Sequence, residues 1–422
     1  MGNPLAGARF RWSSTPGPIT IEDYRRRARR KLPDMVWAYL DGESDDLVTL
    51  QANRDAFAQW SFRPRVLTGQ EGTGLSAPLG SSSLRLPVYL SPTGMTGLAH
   101  WSGEVAAARA AERQGTRAVI STAASYTPEE IAAATSEDHF FQLYPWANPE
   151  TGARALSSSF IRRAHDCGYQ GLFVTVDVPV HGNREGERRR GLGVPPVLSP
   201  ARILNASRKR AWTYNVFRHQ RIAARLLLDS TDPTDAVRSA REQLRLMRPE
   251  LDWDDLAWMR QEWSDRPLYV KGVLHPDDAE RAVAVGADGI VVSNHGGRQL
   301  DGCQSSLDAL PAIVDRVGGH VPVLLDGGVR RGTDVVKALC LGATAVGIGR
   351  PYLYGLAANG QAGVEHVLEI LREEISRALT LLGCASVDRL GREHLVRVGL
   401  GDPVADGQDA VRSPARRSDN VT

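Results

Sequence analysis

Short apolar runs alternate with helix-like stretches along most of this chain, and this alternation constrains the fold more than any other feature. The intervening stretches, such as GEVAAARAAERQG and PDDAERAVAVGA, have the apolar spacing of helices. Strands that alternate with helices form right-handed βαβ units and a parallel sheet. The eight apolar runs are PVYLSP, RAVIST, HFFQLY, GLFVTVD, PLYVKG, GIVVSN, VPVLLDGG and AVGIGR.

Polar residues or glycines end these runs, and they distinguish between two folds that share the alternation. In a closed barrel, the C-terminal ends of all the strands meet at one mouth. In an open doubly wound sheet, only the strands beside the switch point meet in this way. Because every run ends in side chains suited to a site, we predict an α/β fold, a (β/α)8 TIM barrel. The strand-end residues are Thr93, Ser121, Gln142, Tyr144, Thr175, Asp177, Lys271, His295, Asp326, Gly349 and Arg350.

Helices are also predicted before the first strand. Thr20 and Asp23 form a capping-box-like pattern at the start of TIEDYRRRARRKL, and a second helix is predicted in DMVWAYLDG. Residues 1–18 are rich in Gly, Pro, Ser and Arg, and we expect them to be disordered. The predicted organisation is one barrel domain over residues 19–400 with an N-terminal helical extension, followed by a flexible C-terminal tail over residues 401–422.

A long segment without Asp or Glu lies between the fourth and fifth runs, over residues 191–228. Because it is too long for an ordinary βα loop, we predict an insertion after strand 4, over residues 191–250, that covers the barrel mouth as a lid or projects from it. A basic segment with interleaved aromatic residues can lie on an anionic membrane surface. A solvated or oligomer-facing lid is the alternative. The basic and aromatic residues are Arg202, Arg208, Lys209, Arg210, Trp212, Tyr214, Phe217, Arg218, Arg221 and Arg225.

Charge and cysteine spacing narrow the class of protein. The formal net charge of +2 neither favours nor excludes a polyanionic partner, and no nucleic-acid partner is predicted. The four cysteines lie far apart and form no C-x-x-C, so we predict no metal site and no disulfide scaffold, as expected in a reducing compartment. The start of the chain has no secretory apolar region, and no apolar run reaches the roughly 18 residues needed to cross a bilayer. We therefore predict a cytoplasmic protein.

Two glycine-containing segments at the seventh and eighth strand ends predict a phosphate site. LLDGGVRRGTDVVKA places Gly327 and Gly328 after a strand and Arg330 before a helix, and GIGRP repeats this arrangement with Gly349 and Arg350. In barrels, these two loops commonly bind phosphate through backbone N–H groups and a helix N-terminus. Glycines that only form tight turns are the alternative, but two such loops with arginines favour a phosphate ligand.

The stretch GIVVSNHGGRQLDG places a histidine at the end of the sixth strand. A lone histidine is more often structural, although His295 is also the type of side chain most suited to general-base catalysis near neutral pH. Arg298 follows it and presents a planar fork suited to a carboxylate. Gly296 and Gly297 allow an irregular backbone that points both side chains inward. The combination suggests the removal of a proton from a small organic acid.

Two other strand-end residues suit the same chemistry. Asp177 could orient the imidazole of His295 and favour its charged form. Lys271 could stabilise negative charge on a cofactor ring. For each of these two residues, a structural ion pair is the alternative.

Taken together, these motifs resemble the FMN-dependent α-hydroxy-acid oxidising family, which includes glycolate oxidase, lactate oxidase and mandelate dehydrogenase. The resemblance extends from about residue 24 to about residue 390. It implies FMN as cofactor and the oxidation of a lactate- or mandelate-like (S)-2-hydroxy acid to the 2-oxo acid, with oxygen or a quinone-like compound as electron acceptor. The motifs are KLPDMVWAYLDG, SPTGMTGLAH, FFQLY, TVDVP, VKGV, SNHGGRQLDG, LDGGVRRGTDVVKALCLGA and IGRP.

The resemblance also implies roles for individual substrate-binding residues. Tyr39 and Arg298 would bind the substrate carboxylate, and Arg184 in GNREGE would be a second, mobile arginine over it. Tyr144 would lie beside the substrate hydroxyl. The resemblance further implies a homotetramer.

For catalysis and cofactor binding, the resemblance implies that His295 is the base, that Asp177 holds it, and that Lys271 stabilises reduced flavin. The flavin ring, ribityl chain and phosphate would be bound by a larger set of residues. These are Thr93, Gly94, Ser121, Gln142, Thr175, Lys271, Ser293, Asp326, Gly328, Arg330, Gly349 and Arg350.

Two departures from the family pattern bear on the substrate and the lid, and the basic insertion bears on membrane association. Gly94 stands where many members have alanine, and mandelate dehydrogenase also has glycine at this position. The glycine favours a dehydrogenase with a bulkier substrate. EGERRRGL places Glu187 at a usual aspartate and lacks the usual Asn-Arg, so the lid geometry differs. The basic insertion resembles the membrane-associating segment of mandelate and bacterial lactate dehydrogenases.

Other functions stay open on the sequence alone. YLYGLAANGQAGVEHVLEIL also resembles a relative that modifies a peptide, so the same flavin chemistry could act on a peptide-linked or natural-product precursor. A barrel lyase or isomerase that binds phosphate without flavin, or a catalytically silent binding module, are the remaining alternatives.

Overall fold

A computed structural model describes residues 17–398, except residues 71, 149, 151, 153, 229–234 and 249. Most of the segment predicted to be disordered at the N-terminus, residues 1–16, lies outside the described residues. The tail predicted over residues 401–422 also lies outside them.

Eight parallel strands form the centre of the molecule, and each coincides with one of the apolar runs. In the sheet, β1 (Val88–Leu90) pairs with β8 (Ala345–Ile348), and from β8 the order descends through consecutive strands to β2 (Val119–Ser121). A parallel bridge from Leu90 to Ala118, just before β2, closes the ring. The prediction of a (β/α)8 TIM barrel is confirmed, and an open sheet is excluded. The strands are β1 (Val88–Leu90), β2 (Val119–Ser121), β3 (Phe140–Leu143), β4 (Gly171–Thr175), β5 (Leu268–Val273), β6 (Gly289–Val292), β7 (Val323–Asp326) and β8 (Ala345–Ile348).

Helices surround the barrel in the described part of the chain. They are α1 (Ile21–Lys31), α2 (Asp34–Asp41), α3 (Val48–Ala58), α4 (Gly103–Arg113), α5 (Pro128–Ala132), α6 (Ala155–Asp166), α7 (Glu185–Arg189), α8 (Pro200–Ser207), α9 (Arg210–His219), α10 (Ala236–Arg245), α11 (Trp253–Trp263), α12 (Pro276–Ala284), α13 (Ser306–Val317), α14 (Gly332–Cys340) and α15 (Arg350–Leu382). Short 3-10 turns span Thr96–Leu98, Arg225–Leu227, His295–Gly297, Val387–Arg389 and Arg392–His394. Two small antiparallel pairs join Trp60–Phe62 to Leu395–Arg397 and Ala77–Leu79 to Ser82–Leu84.

Large side chains fill the barrel interior, so it is a packed core and not a channel. Phe173 of β4 stacks on Tyr269 of β5 with ring centroids 4.6 Å apart. The hairpin of Ala77–Leu79 and Ser82–Leu84 contributes Leu79 and Leu84 to the same cluster. Its turn packs beside the residue that precedes β5, at the N-terminal end of the strands. Because that end is plugged, a ligand can enter only at the C-terminal mouth.

The N-terminal extension brings a helix over this mouth. The predicted capping box forms, because the Thr20 side chain accepts a hydrogen bond from Asp23 N and the Asp23 side chain bonds back to Thr20. Helix α1 packs on the long α15, where the Tyr24 hydroxyl lies 2.8 Å from Nδ1 of His366. This anchor positions α2, which carries Tyr39 into the mouth.

The segment between β4 and β5 contains α7 to α10 as well as α11. Helices α8 and α9 have no buried residue, although they carry apolar side chains. The exposed large apolar residues of this segment are Val180, Val194, Val197, Leu198, Ile203, Leu204, Tyr214, Phe217 and Leu244.

Candidate active site

A cavity of about 740 Å³ occupies the mouth of the barrel. Strand-end loops form its floor, α2 forms one wall, and residues of the insertion form another. Of the predicted site residues, Ser121, Gln142, Thr175, Asp177 and Ser293 lie behind its surface. The others line it directly: Tyr39, Thr93, Gly94, Tyr144, Arg184, Lys271, His295, Arg298, Asp326, Gly328, Arg330, Gly349 and Arg350.

His295 is held in a strained backbone with its ring fixed at both nitrogens. Its φ of 57° is in the left-handed region, followed by Gly296 at 65° and Gly297 at 82°. Non-glycine residues there cost free energy, and such strain clusters at functional sites. Nδ1 of His295 lies 3.0 Å from Oδ1 of Asp177, and Nε2 lies 3.3 Å from the Tyr144 hydroxyl. The turn therefore presents Nε2 to the cavity with Asp177 behind the ring.

Burial decides the protonation state of this pair. Desolvation lowers the pKa of His295 below its usual 6.5, and the Asp177 carboxylate opposes that shift without reversing it. The expectation that Asp177 favours a charged imidazole thus describes only the weaker of two effects. The pKa of Asp177 is itself lowered: burial opposes ionisation, but the hydrogen bond from Nδ1 of His295 and the positive charge of Lys271 outweigh it. At neutral pH the ring is consequently a neutral base beside an ionised carboxylate.

The two arginines predicted to bind the substrate carboxylate are joined by an acid. Nη1 of Arg298 donates to the carbonyls of Tyr39 and Gly42, both at 2.8 Å, and Nη2 donates to Oε1 of Glu187 at 2.9 Å. Arg184 lies with Nη1 3.8 Å from the same Glu187 oxygen. Burial and the neighbouring Arg298 lower the pKa of Arg184 to about 10. The two guanidinium groups thus repel each other, and an anion that lies between them relieves that repulsion.

Two buried polar side-chain atoms behind the cavity lack a hydrogen-bond partner among the described residues, and a ring with several heteroatoms can supply one. Gln142 Nε2 and Thr175 Oγ1 are buried, and no described residue bonds them. Gln142 itself is oriented by Ser121, whose hydroxyl donates to its Oε1 at 2.9 Å. Thr175 lies in register with Lys271, which lines the cavity. Since an unsatisfied buried polar atom costs about 1–3 kcal/mol, these strand ends are suited to bind a polar ring.

Lys271 lies in a buried polar chain on the floor of the mouth. Its Nζ donates to Ser293 Oγ at 2.8 Å and lies 3.4 Å from Oδ2 of Asp326. Ser293 donates in turn to Asp326, and Ser91 donates to the other Asp326 oxygen at 3.1 Å. This chain of hydrogen bonds fixes the Lys271 ammonium group at the cavity surface, where it can face negative charge on a ring.

The predicted phosphate loops adjoin each other on one side of the mouth. Gly328 has a φ of 81°, and a Cβ there would lie 2.0 Å from the Asn53 carbonyl, so only glycine fits. Gly349 precedes α15, whose N-terminus has no side-chain cap. Arg350 and Arg330 line the cavity beside it. An uncapped helix N-terminus with two arginines is a suitable cradle for phosphate.

Several residues of the site were not singled out from the sequence. Glu43 lies against Arg350, and it stands in the acidic run DGESDD, which is typical of a solvated loop. Trp146 stacks on Tyr144 with centroids 5.2 Å apart, although it follows its strand like any loop residue. Glu187 was noted only as a departure, and its contact with both arginines had no sequence signal.

These features suit one class of protein, the barrel enzymes that bind a cofactor by its phosphate and polar ring and act on an organic acid with a neutral histidine. The class can be made specific. The chain belongs to the FMN-dependent dehydrogenase family, whose model matches residues 28–397. It is therefore an oxidoreductase with FMN as cofactor, and the non-flavin lyase or isomerase alternative is excluded.

Known relatives cover nearly the whole chain. L-lactate oxidase from Nostoc sp. is 40% identical over 382 residues, which are 90% of this chain and 98% of the relative. (S)-Mandelate dehydrogenase from Pseudomonas putida is 37% identical over 382 residues, covering 90% of this chain and 95% of that protein. Among solved structures, that of the monotopic membrane protein (S)-mandelate dehydrogenase superposes with a TM-score of 0.85 at 36% identity, covering 90% of this chain and 100% of the other.

Proposed function

We propose that this enzyme oxidises an (S)-2-hydroxy acid to the 2-oxo acid. One observation carries the proposal: a neutral, buried histidine and a pair of arginines line the same cavity. A 2-hydroxy acid carries its carboxylate and its reacting hydroxyl on adjacent carbons, so a single small molecule can contact both groups. The names of the relatives, lactate oxidase and mandelate dehydrogenase, agree with this substrate class.

The clamp residues orient the substrate. Arg298 and Arg184 bind the carboxylate as an ion pair, with Tyr39 alongside: its ring lies 5.0 Å below the Arg298 guanidinium. The Tyr144 hydroxyl, already beside Nε2 of His295, takes a position next to the substrate hydroxyl. Burial raises the pKa of Tyr144, so its hydroxyl stays protonated and serves as a hydrogen-bond donor.

His295 accepts the proton that oxidation of the alcohol releases. Its lowered pKa keeps Nε2 free to accept, and Asp177 behind the ring stabilises the imidazolium that results. FMN, when bound, would accept the two electrons of the oxidation and the second of the two protons released. Lys271 supplies a positive charge beside the flavin ring.

We assign FMN binding to the strand ends. Thr93 and Gly94 approach the ring, Gln142 and Thr175 offer their unsatisfied atoms, and Ser121 and Ser293 orient Gln142 and Lys271. Asp326, Gly328, Arg330, Gly349 and Arg350 form the ribityl and phosphate cradle.

We infer that the substrate carries a bulky, aromatic-type side chain, because part of the cavity wall is apolar. Its outer wall is apolar and comes from the insertion, through Leu192, Trp212, Val237, Leu244 and Met247. We propose that residues 191–250 act as the lid of this site. Gly94 has no side chain, and a Cβ there would lie 3.6 Å from the Tyr39 hydroxyl. From this glycine we infer a dehydrogenase that passes its electrons to a quinone-like acceptor.

The proposed function is tested by flavin bleaching. The full-length protein is mixed without oxygen with (S)- and (R)-mandelate and with (S)- and (R)-lactate, and the visible absorbance of bound FMN is followed. We expect rapid loss of absorbance with the (S)-enantiomers, reversed by a quinone faster than by oxygen. Bound flavin that keeps its colour with every 2-hydroxy acid would overturn the proposal.

We further propose that the exposed insertion contacts an anionic membrane surface. Helix α8 and α9 expose Leu204 and Phe217, 51% and 76% accessible, on a segment with seven basic residues and no acid over 191–228. Apolar side chains flanked by cations bind anionic lipid surfaces. In the described residues no helix is long and apolar enough to span a bilayer, and the mandelate dehydrogenase neighbour is described as monotopic.

Vesicle flotation tests this contact. The protein should float with vesicles containing phosphatidylserine and stay behind with phosphatidylcholine alone or in high salt. Phe217→Asp should abolish flotation, whereas Leu381→Asp, an equally exposed apolar site on α15 (70% accessible), should not. Equal flotation of both variants would refute the assignment. A cytoplasmic location and a homotetramer stay predictions.

A further inference from the structure

The dipeptide of Gly42 and the buried Glu43 connects one arginine of the phosphate cradle with one arginine of the carboxylate clamp. Glu43 is 1% exposed, and its Oε1 lies 2.8 Å from Nη2 of Arg350. The carbonyl of the preceding Gly42 accepts hydrogen bonds from Arg350 Nη2 at 2.9 Å and from Arg298 Nη1 at 2.8 Å. A single dipeptide therefore contacts both the phosphate-cradle arginine and the carboxylate-clamp arginine.

The backbone around Glu43 is shaped to admit its carboxylate. A Cβ on Gly297, whose φ is 82°, would lie 2.5 Å from Oε2 of Glu43. Among the described residues, no donor makes a hydrogen bond of normal geometry to either oxygen of this carboxylate, although Oε1 forms the ion pair with Arg350. The charge is thus compensated by nearby cations and not by a set of hydrogen bonds, and such a carboxylate is sensitive to any charge brought beside it.

Opposing groups on four elements set the charge of this carboxylate. Burial disfavours the ionised form, whereas Arg350 at the start of α15, Arg298 after β6 and Arg330 after β7 favour it. Asp41 at the end of α2 disfavours it. The balance raises the pKa of Glu43 to about 7. Its charge therefore changes within the neutral range.

We propose that Glu43 is a positioning residue for FMN. The Glu43 carboxylate competes with the FMN phosphate for Arg350 and takes up a proton when FMN binds. The inference rests on the phosphate placement proposed above. A phosphate monoester carries about −1.5 to −2 charges at neutral pH. Because two anions cannot share one buried guanidinium without a cost, the carboxylate takes a proton from solvent and Arg350 turns its donors to the phosphate.

This competition gives FMN affinity a definite pH dependence. When a ligand raises the pKa of a group, it binds more weakly as pH rises through the range in which that group loses its proton. FMN should therefore be released more easily above pH 7. A rise of one pKa unit on binding corresponds to a tenfold change in affinity.

The experiment compares the wild-type holoprotein with Glu43→Gln, which keeps the shape of the side chain and removes its charge. Each full-length holoprotein is diluted in series between pH 6 and 9, and free FMN is read by its fluorescence to give Kd. The phosphate of FMN titrates in both proteins, so the ratio of the two Kd values isolates Glu43. We expect the Kd of wild type divided by the Kd of Glu43→Gln to be near one at pH 6 and to rise roughly tenfold by pH 9. A ratio that does not change with pH would overturn the proposal.

Two further variants separate the causes. Asp255→Asn removes another buried carboxylate paired with arginines, Arg154 at 3.1 Å and Arg248 at 2.8 Å, outside the cavity. The Kd of wild type divided by the Kd of Asp255→Asn should stay constant with pH. If this ratio rose with pH as steeply as the ratio for Glu43→Gln, a specific role for Glu43 would be refuted. Arg350→Gln should weaken FMN binding at every pH. Unchanged binding in that variant would refute the phosphate placement itself, whereas weakened binding together with a flat Glu43→Gln ratio would refute only the inference on Glu43.

Discussion

Replacing Arg298 with lysine tests the substrate clamp most directly. The guanidinium makes three charged hydrogen bonds, to two carbonyls and to Glu187, and each such bond is worth about 1.5–3 kcal/mol. A lysine ammonium in this place keeps the charge, but it cannot hold its position against Gly42 and Tyr39 and at the same time offer a fork to a carboxylate. If one of the two fork bonds to the substrate is lost and the rest are weakened, the cost is about 3 kcal/mol, roughly a hundredfold in kcat/KM.

The assay is anaerobic flavin reduction in a stopped-flow instrument, with (S)-mandelate varied to separate the reduction rate from the substrate dissociation constant. Arg266→Lys is a matched control, because Arg266 also donates to two backbone carbonyls, of His165 and Tyr169, at 3.0 and 2.9 Å and lies over a tryptophan ring. It precedes β5, at the end of the barrel opposite the mouth. We expect Arg266→Lys to lower the melting temperature without changing the reduction kinetics.

The main effect of Arg298→Lys should be on substrate binding, with some loss of rate because the carboxylate also orients the reacting carbon. If Arg298→Lys and Arg266→Lys reduce the flavin equally fast and at the same substrate concentration, Arg298 does not touch the substrate. The clamp would then have to be assigned to Arg184 alone.

Three further predictions concern the base and the flavin face. His295→Ala should keep its bound FMN, while flavin reduction falls about 10²- to 10⁴-fold; wild-type reduction rates would exclude it as the base. Asp177→Asn should slow reduction and move the acid limb of the pH–rate profile to lower pH, because it removes the group that raises the pKa of His295; an acid limb shifted upward would contradict this. In Gly94→Ala, the new Cβ would lie 3.0 Å from the Ala123 Cβ, so we expect mandelate turnover to fall about 10-fold or more relative to lactate; equal losses for both acids would argue against it.

The barrel could be predicted because its sequence signal is local and repeated. Each strand is a short apolar run, and each run ends in a polar residue or glycine at the point where the chain enters the mouth. In a closed ring, these ends must converge, so His295 and Asp177 could be expected to meet although 117 other residues separate them in sequence. The structure places them 3.0 Å apart. The fold of the barrel and the floor of the site thus both follow from the repeated pattern of apolar runs.

The acids around the arginines could not be predicted in the same way. Glu43 lies outside the βα pattern, in the loop after α2, and its position depends on how the N-terminal extension crosses the mouth. That crossing is determined by packing of α1 on α15, which are separated by most of the chain. Glu187 belongs to the short α7, which lies between β4 and the insertion, in a loop whose path has no periodic signal. The sequence shows which cations face the mouth but not which carboxylates accompany them.

The acid partners decide how the mouth can bind anions at all. A lone buried cation costs several kcal/mol, so cations held ready for a ligand need a counter-charge inside the protein. Here the pairs are Arg298 with Glu187, Arg350 with Glu43, and Lys271 with Asp326. An arriving carboxylate or phosphate must then compete with an internal acid, so charge alone adds little net affinity and the geometry of the ligand decides whether it binds. We therefore infer that selectivity for a planar carboxylate at one place and a phosphate at another depends on Glu187 and Glu43 as much as on the arginines. These acids determine which donors of each guanidinium remain for the ligand.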